Sequence, residues 1–181
     1  PVSAKLGGMA VILALCVGVP LGVLAAYKRG TFIDSLFSVI ATCGIAVPGF
    51  VICTLLLYVF GVKLQWLPTL GLKNAQSYIM PVVALAAYPT SYIMRLMRSS
   101  MLDVLGQDYM RTAKAKGLSQ KVSLFKHALR NAILPVITYV GPMLAYTLTG
   151  SFVTEKIFTI PGLGGEFIKA INGRDYTMIM G

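Results

Sequence analysis

The chain has 181 residues, of which 56% are hydrophobic and 12% are charged, with a formal net charge of +10 and a mean hydropathy of +0.76. Soluble domains average about 45–50% apolar and about 25% charged residues, so the composition favours a membrane protein. Nucleic-acid binding is disfavoured because the positive charges lie at the ends of apolar stretches, where membrane topology places them. Cys16, Cys43 and Cys53 form no C-x-x-C pair, so neither a metal site nor a disulfide framework is predicted.

Four apolar segments are predicted to cross a bilayer, which takes about 20 residues of helix. They are residues 6–27, 35–62, 74–94 and 131–154. The first contains Gly18-x-x-x-Gly22, a spacing that lets two helices approach closely, although frequent glycine makes chance the alternative. Pro20 is a candidate for a kink in this segment.

The second segment is too long for a straight crossing. Its 28 residues correspond to about 42 Å of helix, against a hydrocarbon core of about 30 Å. Pro48-Gly49 is the predicted break, since proline removes a helix hydrogen bond. Broken backbone at membrane depth is tolerated where protein or a water-filled cavity receives it. Pro48 is therefore a candidate for lining a pathway, with a simple kink as the alternative.

Hydroxyl groups are concentrated in the middle of the third segment, around Pro89. Tyr88, Thr90 and Ser91 belong to this cluster, and polar groups within the membrane often line a cavity. These three residues are candidate pathway-lining residues. Hydrogen bonds from the hydroxyls to carbonyls of their own helix are the alternative.

A basic stretch separates the third and fourth segments. Residues 95–130 contain eight Lys or Arg against Asp103 and Asp108, which predicts that this loop is cytoplasmic. With Lys28 and Arg29, ten basic residues lie on that side and six on the other. The first segment then begins outside. We therefore expect the chain to be an internal fragment of a longer protein, with at least one earlier crossing.

The basic loop is predicted to contain two short helices. The first covers residues 108–116 and ends at Gly117, and Ser119 is placed to cap the second. The second helix carries one apolar stripe, formed by Leu118, Val122, Phe125 and Leu129. Anionic lipid headgroups could attract the lysines. Small residues at 113, 115 and 117 favour docking of a protein instead, because lipid binding does not require them.

Two segments resemble ABC importer permeases of the dipeptide/oligopeptide branch. Tyr109-Met-Arg-Thr-Ala-Lys-Ala-Lys-Gly-Leu118, followed by Phe125-Lys-His-Ala-Leu-Arg-Asn-Ala-Ile-Leu-Pro135, is similar to the signature loop of that family. Glu155-Lys-Ile-Phe-Thr-Ile-Pro-Gly-Leu-Gly164 is similar to an outer segment of the same branch. Arg111 stands where the general family pattern has Glu, and Arg130 stands where it has Pro. Both departures are typical of the peptide branch.

The resemblance implies one all-α transmembrane permease domain over residues 1–181. Its fold is a polytopic membrane helical bundle of the type I ABC importer kind, with short cytoplasmic coupling helices. The residues implied in coupling to an ATPase are Arg111, Thr112, Ala113, Lys114, Ala115, Lys116, Gly117 and Leu118. Within the outer loop, 155–175, the residues implied in contacting a binding protein or gating the pathway are Ile160, Pro161, Gly162, Leu163 and Gly164.

The implied function is ATP-driven import of di- or oligopeptides across the inner membrane of a prokaryote. The implied partners are a second homologous permease, two ATPase subunits that bind ATP and magnesium, an extracytoplasmic peptide-binding protein and membrane lipid. The chain itself contains no G-x-x-x-x-G-K-[ST] loop, so ATP is not expected to bind here by that route. His127 is the only histidine and is interpreted as a loop residue. No catalytic residue, metal site or cofactor is predicted.

Several alternatives remain at this stage. Permeases for nickel or glutathione are very similar to those for peptides. A secondary carrier or channel would need ionisable or coordinating groups within the membrane, and the four segments offer none. An intramembrane enzyme would need catalytic pairs, which these segments also lack.

Overall fold

The computed structural model describes residues 2–115, 117, 119, 122–148 and 152–180. Within these ranges the chain forms helices joined by turns, without a β-strand. The chain divides into two compact units, which are described separately below. Unit 1 comprises residues 1–13, 47–88 and 143–181, and unit 2 comprises residues 14–46 and 89–142.

The helices occupy most of the described residues. In chain order the α-helices are α1 (Val2–Tyr27), α2 (Phe32–Ala46), α3 (Gly49–Leu56), α4 (Ile79–Leu105), α5 (Asp108–Ala115), α6 (Leu129–Ala132), α7 (Leu134–Leu148), α8 (Phe152–Ile157), α9 (Leu163–Asn172) and α10 (Tyr176–Met180). Two π-helices cover Leu57–Lys63 and Ser123–Ala128, and a 3-10 turn covers Ala75–Tyr78.

Two helical segments are long and apolar enough to cross a membrane, namely Val2–Tyr27 and Ala75–Leu105. Two interrupted pairs meet the same criteria of length and composition when each is taken as one crossing. They are Phe32–Ala46 with Gly49–Lys63, and Ser123–Ala132 with Leu134–Thr147. These four overlap the four predicted segments, although the fourth begins at Ser123, within the predicted loop 95–130, rather than at residue 131. The fourth is interrupted after Ala132, at Ile133, which the sequence had not indicated.

The predicted break at Pro48 is confirmed. Helix α2 ends at Ala46, and Pro48 is extended, with φ −59° and ψ 139°, before α3 begins at Gly49. Proline has no backbone N–H to continue the preceding helix. Its carbonyl instead accepts hydrogen bonds from Val51 and Ile52, at 3.0 and 3.4 Å, and so starts the next helix.

Helix α4 extends beyond the predicted segment. Residues 95–105 were expected in the loop, but α4 continues through Arg95 and Arg98 to Leu105. The charges mark where the apolar sequence ends, whereas the helix continues because residues 95–105 contain no proline or glycine. Pro89 lies inside α4 and does not end it.

Small residues allow two helices of unit 2 to meet closely, as the Gly18-x-x-x-Gly22 spacing predicts. A Cβ at Gly18 would lie 2.9 Å from the carbonyl oxygen of Thr90 and from Cγ2 of Ile93. A Cβ at Gly22 would lie 2.6 Å from the carbonyl oxygen of Met94 and 2.7 Å from Cβ of Met97. Only hydrogen fits at both positions, so the interpretation as helix packing is confirmed.

Unit 1 has a contiguous apolar core. It contains Leu6, Ala10, Cys53, Met80, Val82, Ala84, Ala86, Phe158 and Ile160. Cys53 is 1% exposed, and its Sγ lies 3.5 Å from Oγ1 of Thr154. Cys16 and Cys43, in contrast, are exposed. The backbone N–H of Gly71 donates to the carbonyl of Phe158 at 2.8 Å, which ties the loop before α4 to this core.

Candidate functional site

The candidate coupling segment, residues 108–132, lies in unit 2. Helix α5 starts at Asp108 and packs against the π-helix that begins at Ser123. Met110 is fully buried and anchors one side of α5. Nδ2 of Asn131 donates a hydrogen bond of 2.9 Å to the hydroxyl of Tyr109. The segment is therefore held by one apolar anchor and one polar cross-link.

The described residues that were predicted to couple to an ATPase are exposed. Arg111, Thr112, Ala115 and Gly117 all belong to this exposed set. The Arg111 side chain is 78% exposed and lies 3.4 Å from the carboxylate of Asp108, which is itself 94% exposed. Such a surface pair contributes little to stability, so Arg111 is available to a partner.

The remaining predicted coupling residues are described less fully. Ala113 and Lys114 lie on α5, but their side chains are outside the described part of the structure. Lys116 and Leu118 lie outside the described residues altogether. The coupling role therefore stays a prediction, which the exposure of the neighbouring residues supports.

The predicted ends of the two short helices are present. Gly117 has φ +75°, in the left-handed region that glycine adopts after a helix, and α5 ends two residues earlier at Ala115. The backbone N–H of Val122 donates to Oγ of Ser119 at 3.4 Å, as expected of a capping serine.

The apolar stripe predicted on the second helix is exposed at two of its positions, while Leu129 is half-buried and Leu118 lies outside the described residues. Val122 and Phe125 are 42% and 60% exposed, whereas Leu124 and Ala128 on the other side are 7% and 0% exposed. Ser123 is also buried, and its Oγ has no hydrogen-bond partner among the described residues. The exposed stripe adds Val122 and Phe125 to the surface that a partner could contact.

An ion pair ties together two other parts of unit 2. Nε and Nη2 of Arg98 donate to the two carboxylate oxygens of Asp34, at 2.6 and 2.8 Å. The backbone N–H of Gly30 also donates to Asp34, at 3.0 Å, and φ of Gly30 is +76°. The Asp34 side chain is only 8% exposed. The paired geometry fixes the turn between α1 and α2 against the end of α4.

The four candidate pathway residues are divided between the two units. Pro48 and Tyr88 belong to unit 1, and both are exposed. Thr90 and Ser91 belong to unit 2, where Thr90 is half-buried and Ser91 is buried. Their role in lining a pathway stays a prediction.

The outer turn, residues 155–165, is organised in unit 1 by a buried carboxylate. Glu155, on α8, is 3% exposed. Its Oε1 accepts a hydrogen bond of 2.7 Å from Oγ of Ser3, on α1. Its Oε2 accepts hydrogen bonds from the backbone N–H groups of Gly164 and Gly165, at 2.8 and 3.3 Å. The N–H of Leu163 donates to Oγ of Ser3 at 3.0 Å, which closes the cluster.

Two of the predicted outer-loop residues are glycines that leave room for this carboxylate. A Cβ at Gly162 would overlap the carboxyl group of Glu155. A Cβ at Gly164 would lie 2.6 Å from Cα of Phe152 and 2.9 Å from Oε2 of Glu155. The turn can form in this way only with hydrogen at both positions.

The other predicted outer-loop residues differ in exposure. Ile160 is 5% exposed, and its N–H donates to the carbonyl of Glu155 at 2.8 Å. Pro161 and Leu163 are exposed. A groove of about 410 Å³ runs along this segment between α8 and α9, and its lining includes Lys156, Pro161 and Lys169. The turn therefore presents some side chains outward while Ile160 anchors it.

Comparison with known proteins identifies the family. The sequence pattern described as "Binding-protein-dependent transport system inner membrane component" matches residues 18–181. The chain belongs to this family. Its members are membrane components of transport systems rather than enzymes, and the all-α fold of the described residues agrees with that class. No group of three or more His, Cys, Asp or Glu side chains that could hold a metal occurs in the part of the chain that the structure describes.

Similar proteins are permeases named for peptide transport. The chain is 50% identical over 181 residues to the dipeptide transport system permease protein DppB of Bacillus subtilis (strain 168). It is 42% identical over 182 residues to the oligopeptide transport system permease protein OppB of Salmonella typhimurium. The alignments cover 100% and 99% of this chain but 59% and 60% of those relatives. The chain therefore spans about three-fifths of the length of these permeases.

A solved structure supports the fold independently. The chain matches the crystal structure of an amino acid ABC transporter with histidines, at a TM-score of 0.68 and 18% identity. The match covers 99% of this chain and 79% of the other. At this identity the likeness concerns the fold of this transport-system component alone.

Sequence reasoning missed three residues that organise this family member. Asp34 stands just before the apolar segment 35–62, Arg98 is one of eight basic residues in the predicted loop 95–130, and Ser3 precedes the first segment, so no motif marks any of the three. Asp34 and Arg98 are 64 residues apart, and Ser3 and Glu155 are 152 residues apart, so no local pattern links them. One signal was available in the sequence. Acidic residues are rare in this apolar chain, and a buried charge is usually paired, so each acidic residue could have been examined for a basic partner.

Proposed function

We propose that the chain is part of a membrane-spanning subunit of an ATP-driven importer of di- or oligopeptides. The observation that carries this proposal is the 50% identity over 181 residues to the dipeptide permease of Bacillus subtilis. Transport by the family depends on a binding protein, as its description states. The proposal extends the activity named for the relatives to the whole protein of which this chain forms part.

The coupling segment is the proposed docking site for the ATPase subunits, which bind ATP and magnesium. Support comes from the exposure of Arg111, Thr112 and Ala115, together with the exposed apolar side chains of Val122 and Phe125. Apolar anchors surrounded by basic residues are suited to a groove with a polar rim on a partner. Closure of the ATPases on ATP would move this segment and switch the pathway from inward-facing to outward-facing.

The remaining partners and the location follow from the same proposal. A second homologous permease completes the pathway, and an extracytoplasmic binding protein delivers peptide to it. The protein is a multi-pass component of the plasma membrane of a prokaryote, in contact with lipid, with residues 95–130 on the cytoplasmic side. Pro48, Tyr88, Thr90 and Ser91 line the pathway, and residues 160–164 of the outer turn face the binding protein or gate the path.

Glutathione import is a second candidate. The chain is 44% identical over 168 residues to the glutathione transport system permease protein GsiC of Salmonella typhimurium. Glutathione is itself a small peptide, so similar pathways would suit both substrates. Competition distinguishes them: radiolabelled dipeptide uptake by the assembled importer should be inhibited by unlabelled dipeptide and not by glutathione. The opposite order would replace the peptide proposal with the glutathione one.

The docking proposal is tested by one matched pair of variants in the full-length protein. Gly117 and Gly71 have φ of +75° and +71°, and a Cβ at either position would meet nothing within 4 Å. Gly117→Asp and Gly71→Asp therefore introduce the same charge and similar backbone strain at two open sites. Only Gly117 lies in the coupling segment.

The measurement is co-purification in mild detergent, with the recovered ATPase quantified against the permease. Wild type and Gly71→Asp should retain the ATPase, whereas Gly117→Asp should lose most of it, because a charge enters the contact. Equal retention by both variants would contradict docking at this segment. Absence of any ATPase from the wild-type preparation, together with uptake that needs no ATP, would overturn the importer proposal itself.

A further inference from the structure

We propose that Glu155 is a positioning residue for the docking of the binding protein, acting through the outer turn that its carboxylate holds in shape. The inference rests on the proposed importer function and assigns to that function a residue outside the predicted site. The cluster of Glu155, Ser3 and the N–H groups at the start of α9 carries it.

Glu155 replaces a cap that helix α9 lacks. The residue before α9 is Gly162, which has no side chain to accept the first free N–H groups of the helix. Oε2 of Glu155 accepts from Gly164 and Gly165 at 2.8 and 3.3 Å, and Oγ of Ser3 accepts from Leu163 at 3.0 Å. Three consecutive N–H groups are satisfied in this way. A carboxylate is favoured at the positive end of a helix dipole.

The turn and the carboxylate are mutually fitted. Gly162 has no Cβ where one would overlap the Glu155 carboxyl group, and a Cβ at Gly164 would come within 2.9 Å of Oε2. Glu155 is 3% exposed, so it does not itself meet a partner. Its effect is transmitted by the exposed residues of the turn. Pro161 and Leu163 are among them, and Leu163 is 57% exposed.

The shape of this turn therefore depends on one charge that is sequestered from solvent. Loss of the charge would weaken or break the hydrogen bonds of two N–H groups at the start of α9, those of Gly164 and Gly165, and allow the turn to sample other conformations. A binding protein that recognises the ordered turn must then pay the ordering entropy on docking, so its affinity falls while the rest of the transport cycle is unchanged.

The test uses the complete importer reconstituted in proteoliposomes, with ATP hydrolysis measured against binding-protein concentration. Glu155→Gln keeps the size of the side chain but removes its charge and one acceptor oxygen. We expect the half-saturating concentration of binding protein to rise about tenfold, as two hydrogen bonds to a charged group are lost or weakened. Basal and maximal hydrolysis should stay within about twofold of wild type, because docking affinity and not turnover is altered.

Glu166→Gln is the matched control. Glu166 lies on α9, whose start Glu155 caps, but its side chain is 52% exposed and pairs with Lys169 at 2.6 Å on the surface. It should leave the half-saturating concentration within about twofold of wild type, since exposed pairs contribute little. Equal effects of the two variants, or none from Glu155→Gln, would overturn the positioning role. If ATP hydrolysis by the wild-type complex did not respond to the binding protein at all, the proposed function itself would be refuted.

A double-mutant cycle tests the fit between Glu155 and Gly162. Gly162→Ala alone should weaken docking, because its methyl group meets the carboxyl group. In the Glu155→Ala background the same methyl group has space, so Gly162→Ala should add no further loss. Independent, multiplicative effects would contradict the proposed fit. If Glu155→Gln fails to assemble, Ser3→Ala decides: a raised half-saturating concentration supports positioning, and a wild-type value overturns it.

Discussion

The outer turn and the coupling segment both carry family motifs with glycine, yet they are built in opposite ways. In the outer turn the polar groups of Ser3 and Glu155 are buried and bonded to one another and to the start of α9. In the coupling segment Arg111 and Phe125 are exposed, and the buried Oγ of Ser123 has no partner among the described residues. One region satisfies its own polar groups, while the other presents charged and apolar side chains outward and leaves one buried hydroxyl without a partner among the described residues.

The glycines of the two motifs are required for different physical reasons. Gly162 and Gly164 are required by packing inside one subunit, since a Cβ at either would strike Glu155 or its neighbours. Gly117 is required by its positive φ, and a Cβ there would meet nothing within 4 Å among the described residues, so these residues place no limit on the size of its side chain. Substitutions in the first region should therefore act on the stability of the turn, and only through it on docking, whereas those in the second should act on association directly.

The largest expected change in the free energy of unfolding comes from breaking an ion pair, and two pairs that differ in burial can be compared. Asp34→Ala should lower the free energy of unfolding by about 3 kcal/mol, because it removes a buried carboxylate and leaves the half-buried Arg98 guanidinium without its paired partner. Asp108→Ala, which removes the exposed partner of Arg111, should cost less than about 1 kcal/mol. Denaturant titration in detergent micelles measures both. Similar losses would show that burial does not distinguish the two pairs.

Glycine substitutions along α1 come next. Gly22→Ala should destabilise by about 1–3 kcal/mol, because its Cβ would lie 2.6 Å from the carbonyl oxygen of Met94. Gly8→Ala, in the same helix with nothing within 4 Å, should stabilise by up to about 1 kcal/mol through helix propensity. Thermal unfolding of the two variants should therefore shift in opposite directions. A shift of the same sign would count against close packing at Gly22.

Two buried serines sharpen the comparison further. Ser3→Ala should cost about 1–2 kcal/mol, because it leaves Glu155 and the N–H of Leu163 with one hydrogen bond fewer. Ser123→Ala should be neutral or stabilising by up to about 1 kcal/mol, because it removes a hydroxyl that is buried without a partner in the described structure. The same denaturant titration applies. Destabilisation by both would indicate that the coupling segment is internally satisfied as well.

The smallest expected change in stability belongs to the exposed apolar stripe. Phe125→Ala should leave the free energy of unfolding within about 0.5 kcal/mol of wild type, since the ring is 60% exposed. The same variant should weaken recovery of the ATPase in co-purification. Phe50→Ala, at 56% exposure outside the coupling segment, is the control and should retain the ATPase. Weaker recovery with both variants would remove the argument for a specific contact.

Local sequence features predicted much of the fold. The four apolar segments, the break at Pro48, the close approach at Gly18 and Gly22, and the positive φ of Gly117 each depend on neighbouring residues or on a single backbone constraint. The helix that continues to Leu105 was missed because charge marks the limit of the apolar sequence and not the limit of helical structure.

The contacts that organise the two sites could not be predicted from the sequence to the same extent. The contacts of Asp34 with Arg98 and of Ser3 with Glu155 join residues far apart in the chain, and pairing of this kind depends on tertiary packing that a single sequence does not encode locally. The exposure of Val122 and Phe125 also depended on packing, because the pattern of apolar residues defines a face of the helix without saying what that face meets. The sequence motifs located the outer turn and the coupling segment, and the burial of their side chains in the structure showed how the two differ.

Cys53 gives this chain an intrinsic chemical reporter. Its thiol is 1% exposed and lies 3.5 Å from the hydroxyl of Thr154, the residue before Glu155. A membrane-permeant maleimide reaches such a sulfur only when the surrounding core opens, so the labelling rate follows the opening equilibrium of this region. Timed alkylation with Cys16 and Cys43 replaced by alanine would thus register loosening beside the outer turn during turnover, with no probe added to the sequence.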